Sequence, residues 1–138
     1  MASYVKFYSF VEALAEKVHN LASDTLTVAL VAAANPPSQS NTVLANLTQI
    51  SYANCSSRVL TVSSSSQTTG TYKLVIADKT LSASGGSVGP FRYVVIYNDT
   101  ATNDELICYH DYGADITLAD GEELDLDFSD ANGLLQLS

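Results

Sequence analysis

The sequence predicts a mainly β fold, an antiparallel β-sandwich or flattened barrel of about eight strands with one N-terminal α-helix. Three observations predict it. Short apolar stretches recur at fairly even spacing from residue 25 to the end, several in strict period-two alternation. One segment alone, residues 9–22, carries a convincing 3.6-residue apolar period. With no further helices to cover a parallel sheet, two-sided antiparallel packing follows. At 138 residues the chain is one domain. Residues 1–8 read as an arm or edge strand, and 9–138 as a single β-sandwich domain that includes the helix.

The helix, SFVEALAEKVHNLA, places Phe10, Val11, Leu14, Val18 and Leu21 on one face. Ser9 and Glu12 match an S-x-x-E capping box at its start. Acids come early (Glu12, Glu16) and Lys17 and His19 late, as the helix dipole favours. Residues 25–31 (TLTVALV) alternate Leu26, Val28 and Leu30 against Thr25 and Thr27, and AAANPPSQSN follows as a loop. Residues 43–50 (VLANLTQI) fit either a short helix or a strand. Residues 59–62, preceded by Arg58, lead into a Ser/Thr stretch from Ser63 to Gly70 that reads as a long hairpin loop or flexible rim. A strand is expected at Thr71–Ala77, then an irregular connection through LSASGGSVGP.

Three further strands are clear. FRYVVIYN (91–98) sets Phe91, Tyr93, Val95 and Tyr97 on one face. ELICYHDY covers 105–112. ELDLDF (123–128) alternates Leu124, Leu126 and Phe128 inward with Glu123, Asp125 and Asp127 outward. A short strand at Ile116–Leu118, an Asp120-Gly121 turn and an edge-closing LLQL (134–137) complete the chain.

Composition excludes several function classes. Hydrophobic residues are 46% and charged residues 15%, the reverse of a disordered chain. Six bases against 15 acids give a net charge of −9, which argues against nucleic-acid binding. The longest apolar run, Val28 to Ala34, is far short of a membrane span of about 18–20 residues. The start MASYVKFYSF lacks a basic segment before a long apolar block, so the chain is expected to stay in the cytosol or leave it without a signal. Charge is polarised: the last base is Arg92, and 11 acids follow Tyr93 with no base. Such polarity suits a protein that meets copies of itself or a basic partner, or a solvated acidic face.

Catalytic patterns are sparse. Cys55 and Cys108 form no CxxC and read as thiols in a reducing compartment. Cys108 and His110 lie two apart on one strand, the spacing a Cys–His dyad would use, but a strand residue at a rim is the preferred reading. With His19 these are the only four Cys and His residues, too scattered for zinc. DLDFSDANG (125–133) is the best calcium candidate, but Asp130 and Gln136 stand where an EF-hand needs glycine and glutamate. GGSVGP precedes a strand, whereas a phosphate loop opens a helix. No cofactor is expected. Tyrosines, eight in all with no Trp, are the candidate contact anchors.

The stretch ASGGSVGPFRYVVIYNDTATNDELICYHDYGADITLADGEELDLDF resembles a family of small tailed-bacteriophage virion proteins. The opening SYVKFYSFVEALAEKVHNL, the strand TLTVALV and the ending GLLQLS extend the resemblance over nearly the whole chain, and GPFRYVVIYNDTATNDELI is its most specific part. SYANCSSRVLTV departs from the pattern, where a more glycine-rich loop is expected. The resemblance implies a non-enzymatic structural component. The first expectation is a capsid decoration or cement protein on the outer head surface, made in the host bacterial cytoplasm. It would contact the major capsid protein and copies of itself, as in a trimer, but neither nucleic acid nor membrane. A small tail or head–tail component and a carbohydrate- or host-surface-binding module stand beside it. Expected contact residues are Tyr4, Lys6, Tyr8, Arg92, Tyr109 and Tyr112, with residues 1–8 as an arm or a strand added to a neighbour.

Overall fold

A computed structural model describes residues 2–138. The mainly β, antiparallel fold expected from the sequence is the fold observed. In chain order the elements are β1 (Ser3–Lys6), α1 (Tyr8–Ala15), β2 (Leu26–Val31), a 3-10 turn (Leu44–Asn46), β3 (Val62–Thr68), β4 (Thr71–Ile76), β5 (Lys79–Ser82), β6 (Val88–Asn98), β7 (Leu106–Leu118), β8 (Glu123–Leu126) and β9 (Leu135–Leu137). A four-stranded sheet runs β1-β7-β6-β2, with smaller sheets β3-β4-β9 and β5-β8. Every pairing is antiparallel.

Strand β2, β6 from Tyr93 onward and the start of β7 are buried on both faces. On one face Leu26, Val28, Leu30, Val94, Ile96 and Cys108 join Leu74, Ile76, Leu81, Leu126 and Leu135 of the smaller sheets, with Phe10 of α1. On the other, Phe7, Ala29, Val31, Tyr93, Val95, Tyr97 and Leu106 form a second cluster covered by Leu44 and Leu47. This corrects the half-exposed reading of β2, all six of whose residues are buried. Thr27 fits because its hydroxyl donates to Asp99 Oδ2 at 3.2 Å, so its polar atom is satisfied.

Register irregularities explain a second difference. β6 and β7 slip between Phe91 and Tyr93. The Phe91–Ile116 and Tyr93–Asp111 pairs differ in register by three residues, and an odd shift reverses which face a side chain meets. Phe91 therefore packs with Val94 and Ile96, while Tyr93, Val95 and Tyr97 face the opposite cluster. Strand β8 keeps the expected parity: Leu126 is buried and Glu123 and Asp125 are exposed.

The helix is shorter than its periodicity suggested. It begins at Tyr8 because Phe7, fully buried in the second cluster, serves as its N-cap residue; no side chain caps it, and Ser9 lies inside the first turn. The Tyr8 N–H donates instead to Gln39 O at 3.0 Å. The C-terminus is a Schellman closure: Val18 N–H donates to Ala13 O at 2.9 Å and Lys17 N–H to Leu14 O at 3.4 Å, with Lys17 at φ 72°. Val18 thus leaves the helical phase, and Val11 and Val18 are exposed rather than core.

The Ser/Thr stretch is strand β3, not a loop. Thr68 pairs with Thr71 around a two-residue Thr69-Gly70 turn whose φ values, 51° and 84°, are those of a type I′ hairpin. Residues 43–50 form the 3-10 turn and isolated bridges. The short strand at 116–118 is the end of β7.

Candidate functional site

The two edges of the four-stranded sheet differ. At β2 the chain from residue 49 to 60 covers the edge: Val28 N–H donates to Arg58 O (3.0 Å), Leu60 N–H to Leu26 O (2.9 Å), Ile50 N–H to Leu30 O (3.0 Å), and Leu30 N–H to the Tyr52 hydroxyl (2.8 Å). Arg58 in turn stacks its guanidinium 3.6 Å from the centre of the Tyr52 ring. The stretch SYANCSSRVLTV is this cover.

At β1 no strand lies outside among the described residues. Phe7 N–H donates to Ile107 O at 3.2 Å, so the alternation of the register turns the backbone of Val5 and Ser3 toward β7 and that of Tyr4 and Lys6 outward. Of the outward groups, the Lys6 carbonyl accepts from Gln39 Nε2 at 3.0 Å. Beside this edge stand Tyr4, Tyr8 and Val11, exposed at 43%, 65% and 48%. Among the described residues, four of the six exposed large apolar side chains lie at or before position 18: Tyr4, Tyr8, Val11 and Val18.

A groove of about 900 Å³ opens on the inner face next to this edge. Tyr4, His110 and Tyr112 make one wall. Tyr4 and His110 are directly opposed across β1 and β7, their rings 5.5 Å apart at 66°. Asp125, Asp127, Phe128 and Asn132 make the other wall, and the Phe128 ring lies 6.1 Å from His110 at 62°. The second wall is held by backbone contacts. Phe128 N–H donates to Asp78 Oδ1 (2.8 Å), Gly133 N–H to Ser129 O (2.9 Å) and Leu134 N–H to Leu74 O (2.7 Å). Gly133 has φ 72°, and a Cβ there would lie 2.5 Å from Leu74 O, so the loop's approach to β4 requires glycine.

Burial sets the protonation of this wall. It lowers the His110 pKa, which keeps the ring neutral near pH 7. Burial first and the nearby Asp127 second raise Tyr112. The Cys108 thiol, fully buried beside Tyr4, is pushed up to about 12. That is the opposite of the depressed pKa that a nucleophilic thiolate needs. Asp125 Oδ1 accepts from Thr80 Oγ1 at 2.6 Å, and among the described residues no three His, Cys, Asp or Glu groups converge as metal ligands. No helix among the described residues is long and apolar enough to cross a membrane.

The expected contact residues separate. Tyr4 and Tyr112 share the groove. Lys6 is exposed on β1, and Tyr8 at the start of α1. Tyr109 points to the opposite face, packed on Phe7 (5.3 Å) and Tyr93 (6.0 Å). Arg92 is engaged within the chain: Nε and Nη2 donate to Asp111 Oδ1 and Oδ2 at 2.8 and 3.2 Å, which holds Asp111 below its ordinary carboxylate value. Sequence reasoning missed the groove role of Asp125, Asp127, Phe128 and Asn132, and considered His110 for different chemistry. The alternation of ELDLDF marks the two aspartates as outward, but nothing local says what they face.

His19 belongs to a separate buried network. Asn98 Nδ2 donates to His19 Nδ1 (2.9 Å) and to Asp24 Oδ2 (2.7 Å), and burial lowers the His19 pKa against the opposing pull of Glu105 and Asp24.

No protein-family model, no curated protein and no solved structure matches this chain.

Proposed function

We propose that this protein is a structural component of a tailed-phage virion, a decoration protein that seats on the outer surface of the head and stabilises the shell. The resemblance of residues 83–128 and of both chain ends supports this reading. The observation that carries it is the open β1 edge flanked by Tyr4, Tyr8 and Val11, on a sheet whose other edge is covered. Unpaired edge groups next to exposed apolar side chains suit strand addition reinforced by apolar burial. The edge strand is docked on its own chain, so the expected arm acts here as a preformed template for a neighbour's strand.

A protein that binds only the assembled shell stabilises it by mass action, about 2.7 kcal/mol per site at 100 times Kd. Repetition over a symmetric lattice multiplies weak contacts. The partners in this reading are the major capsid protein and further copies of this chain, meeting as a trimer at three-fold lattice points. The tail and head–tail alternatives would use the same edge on a different partner.

Purified protein mixed with undecorated heads, and separately with tails, tests the proposal by sedimentation. Saturable pelleting with heads is expected. Pelleting with tails alone would transfer the reading to the tail, and pelleting with neither would reject it.

A further inference from the structure

The groove between β7 and the loop after β8 adjoins the open strand edge and shares Tyr4 with it, and its chemistry is specific. Its volume lies in the upper part of the range of ligand sites, about 300–1,000 Å³. Val94, Leu126 and Leu134, all buried, contribute its apolar lining. Four rings, from Tyr4, His110, Tyr112 and Phe128, and two carboxylates, from Asp125 and Asp127, surround the opening, and among the described residues no Lys or Arg lines it. His110 supplies no compensating charge, because burial favours its neutral form. Among the described residues, the Asp127 carboxylate, the Tyr112 hydroxyl and the Asn132 side-chain amide make no hydrogen bond within the chain, while Asp125 spends one oxygen on Thr80.

We infer that this groove binds an extended arginine- or lysine-bearing segment of a partner protein. The inference deepens the decoration reading and rests on it in one respect, that the partner is a protein. Ring faces attract a guanidinium or ammonium within about 6 Å, and more strongly when water is excluded. Asp127 accepts the N–H groups of that cation, and a planar guanidinium uses both carboxylate oxygens. Tyr112 and Asn132 are placed to bond the segment's backbone. A neutral sugar is the weaker fit. Sugars stack on a flat aromatic platform, whereas the rings here meet at 66° and 62° and present no shared plane. The segment after Tyr93, which supplies Asp125 and Asp127, carries 11 acids and no base, and this adds a general bias toward a cationic partner.

The test is a titration of the full-length, isotope-labelled protein, followed by amide NMR shifts. The probes are acetyl-Gly-Arg-Gly-Arg-Gly-amide, the same peptide with glutamates, and a linear glucose hexasaccharide. The arginine peptide is expected to shift Tyr112, Asp127 and Phe128 with millimolar or tighter affinity, and to weaken as salt screens the carboxylates. Asp127→Asn should weaken it about threefold to fivefold, and Asp125→Asn with Asp127→Asn about tenfold. Glu12→Gln, on the exposed side of α1, should change nothing. Both aspartates are exposed, and melting temperatures measured alongside confirm that the variants fold. Absence of shifts at about 10 mM arginine peptide, equal binding of the glutamate peptide, hexasaccharide binding at the same residues in its place, or undiminished affinity in the double variant would each overturn the inference. The two readings fail separately. Protein that sediments with heads but ignores the arginine peptide overturns the groove assignment alone. Protein that takes the peptide but sediments with neither heads nor tails supports the groove and rejects decoration.

Discussion

The two edges of one sheet show how this chain divides its labour. Along β2, residues 49–60 fold back to satisfy backbone groups, and Tyr52 and Arg58 lock the cover in place. Along β1, a four-residue strand ends the sheet with exposed Tyr4 and Lys6 and leads directly into a helix that exposes Tyr8 and Val11. An open edge invites pairing with another chain, and proteins ordinarily blunt or cover it. The proposed interaction surface rests on this contrast: one edge is covered, and the other, apart from the Gln39 contact to Lys6 O, is open among the described residues. Between them, β6 and the first half of β7 are buried on both faces and supply a rigid support.

Substitutions at the two edges should therefore have opposite signatures. The largest effect on stability is expected at the covered edge. Leu60, 6% exposed and bonded through its backbone to Leu26, should cost about 2–4 kcal/mol as Leu60→Ala, measured by urea unfolding. Gly133→Ala should cost about 1–3 kcal/mol through left-handed strain and the clash with Leu74 O, and should distort the groove seen by NMR. At the open edge, Lys6→Pro removes an outward N–H that no strand among the described residues uses. It should change stability by less than about 1 kcal/mol while abolishing head binding. Tyr8→Ala with Val11→Ser should alter stability least, within about 0.5 kcal/mol, and yet reduce head binding more than about tenfold.

Acid sharpens the same contrast. His19 and His110 both have folded pKa values below the ordinary 6.5, with burial as the leading cause. The unfolded chain then takes up protons first, so stability is complete above about pH 6.5 and declines as pH falls below it, by at most about 1.4 kcal/mol per pH unit for each histidine. For His19 the geometry agrees. Its Nδ1 accepts from Asn98, and protonation would set two donors against each other. His19→Gln should flatten the decline in the urea midpoint between about pH 6.5 and 5.

Much of the fold was legible in the sequence because period-two alternation survives wherever a strand has one wet face, as in ELDLDF. The misreadings have physical causes. β2 and β6 are buried on both faces, so alternation in β2 did not report exposure, and the slip at Phe91–Tyr93 reversed parity midway through β6. A serine-rich strand carries little apolar signal, and its pairing with β4 is what makes it β3. The helix was overextended because Val18 and Leu21 continued the apolar period past a left-handed Lys17. Tyr4, Tyr8 and Tyr112 were legible as exposed or half-exposed tyrosines. The groove was not, since its walls come from residues 2–4, 110–112 and 125–134, which meet only in the folded chain.

The most direct measurement is occupancy of undecorated heads by wild-type protein and by the Tyr8→Ala, Val11→Ser double variant, both shown to have unchanged melting temperatures. The expected result is saturable binding by the wild type and little by the variant. Equal occupancy by both, or none by either, would contradict the assignment of the open edge as the surface that holds the shell.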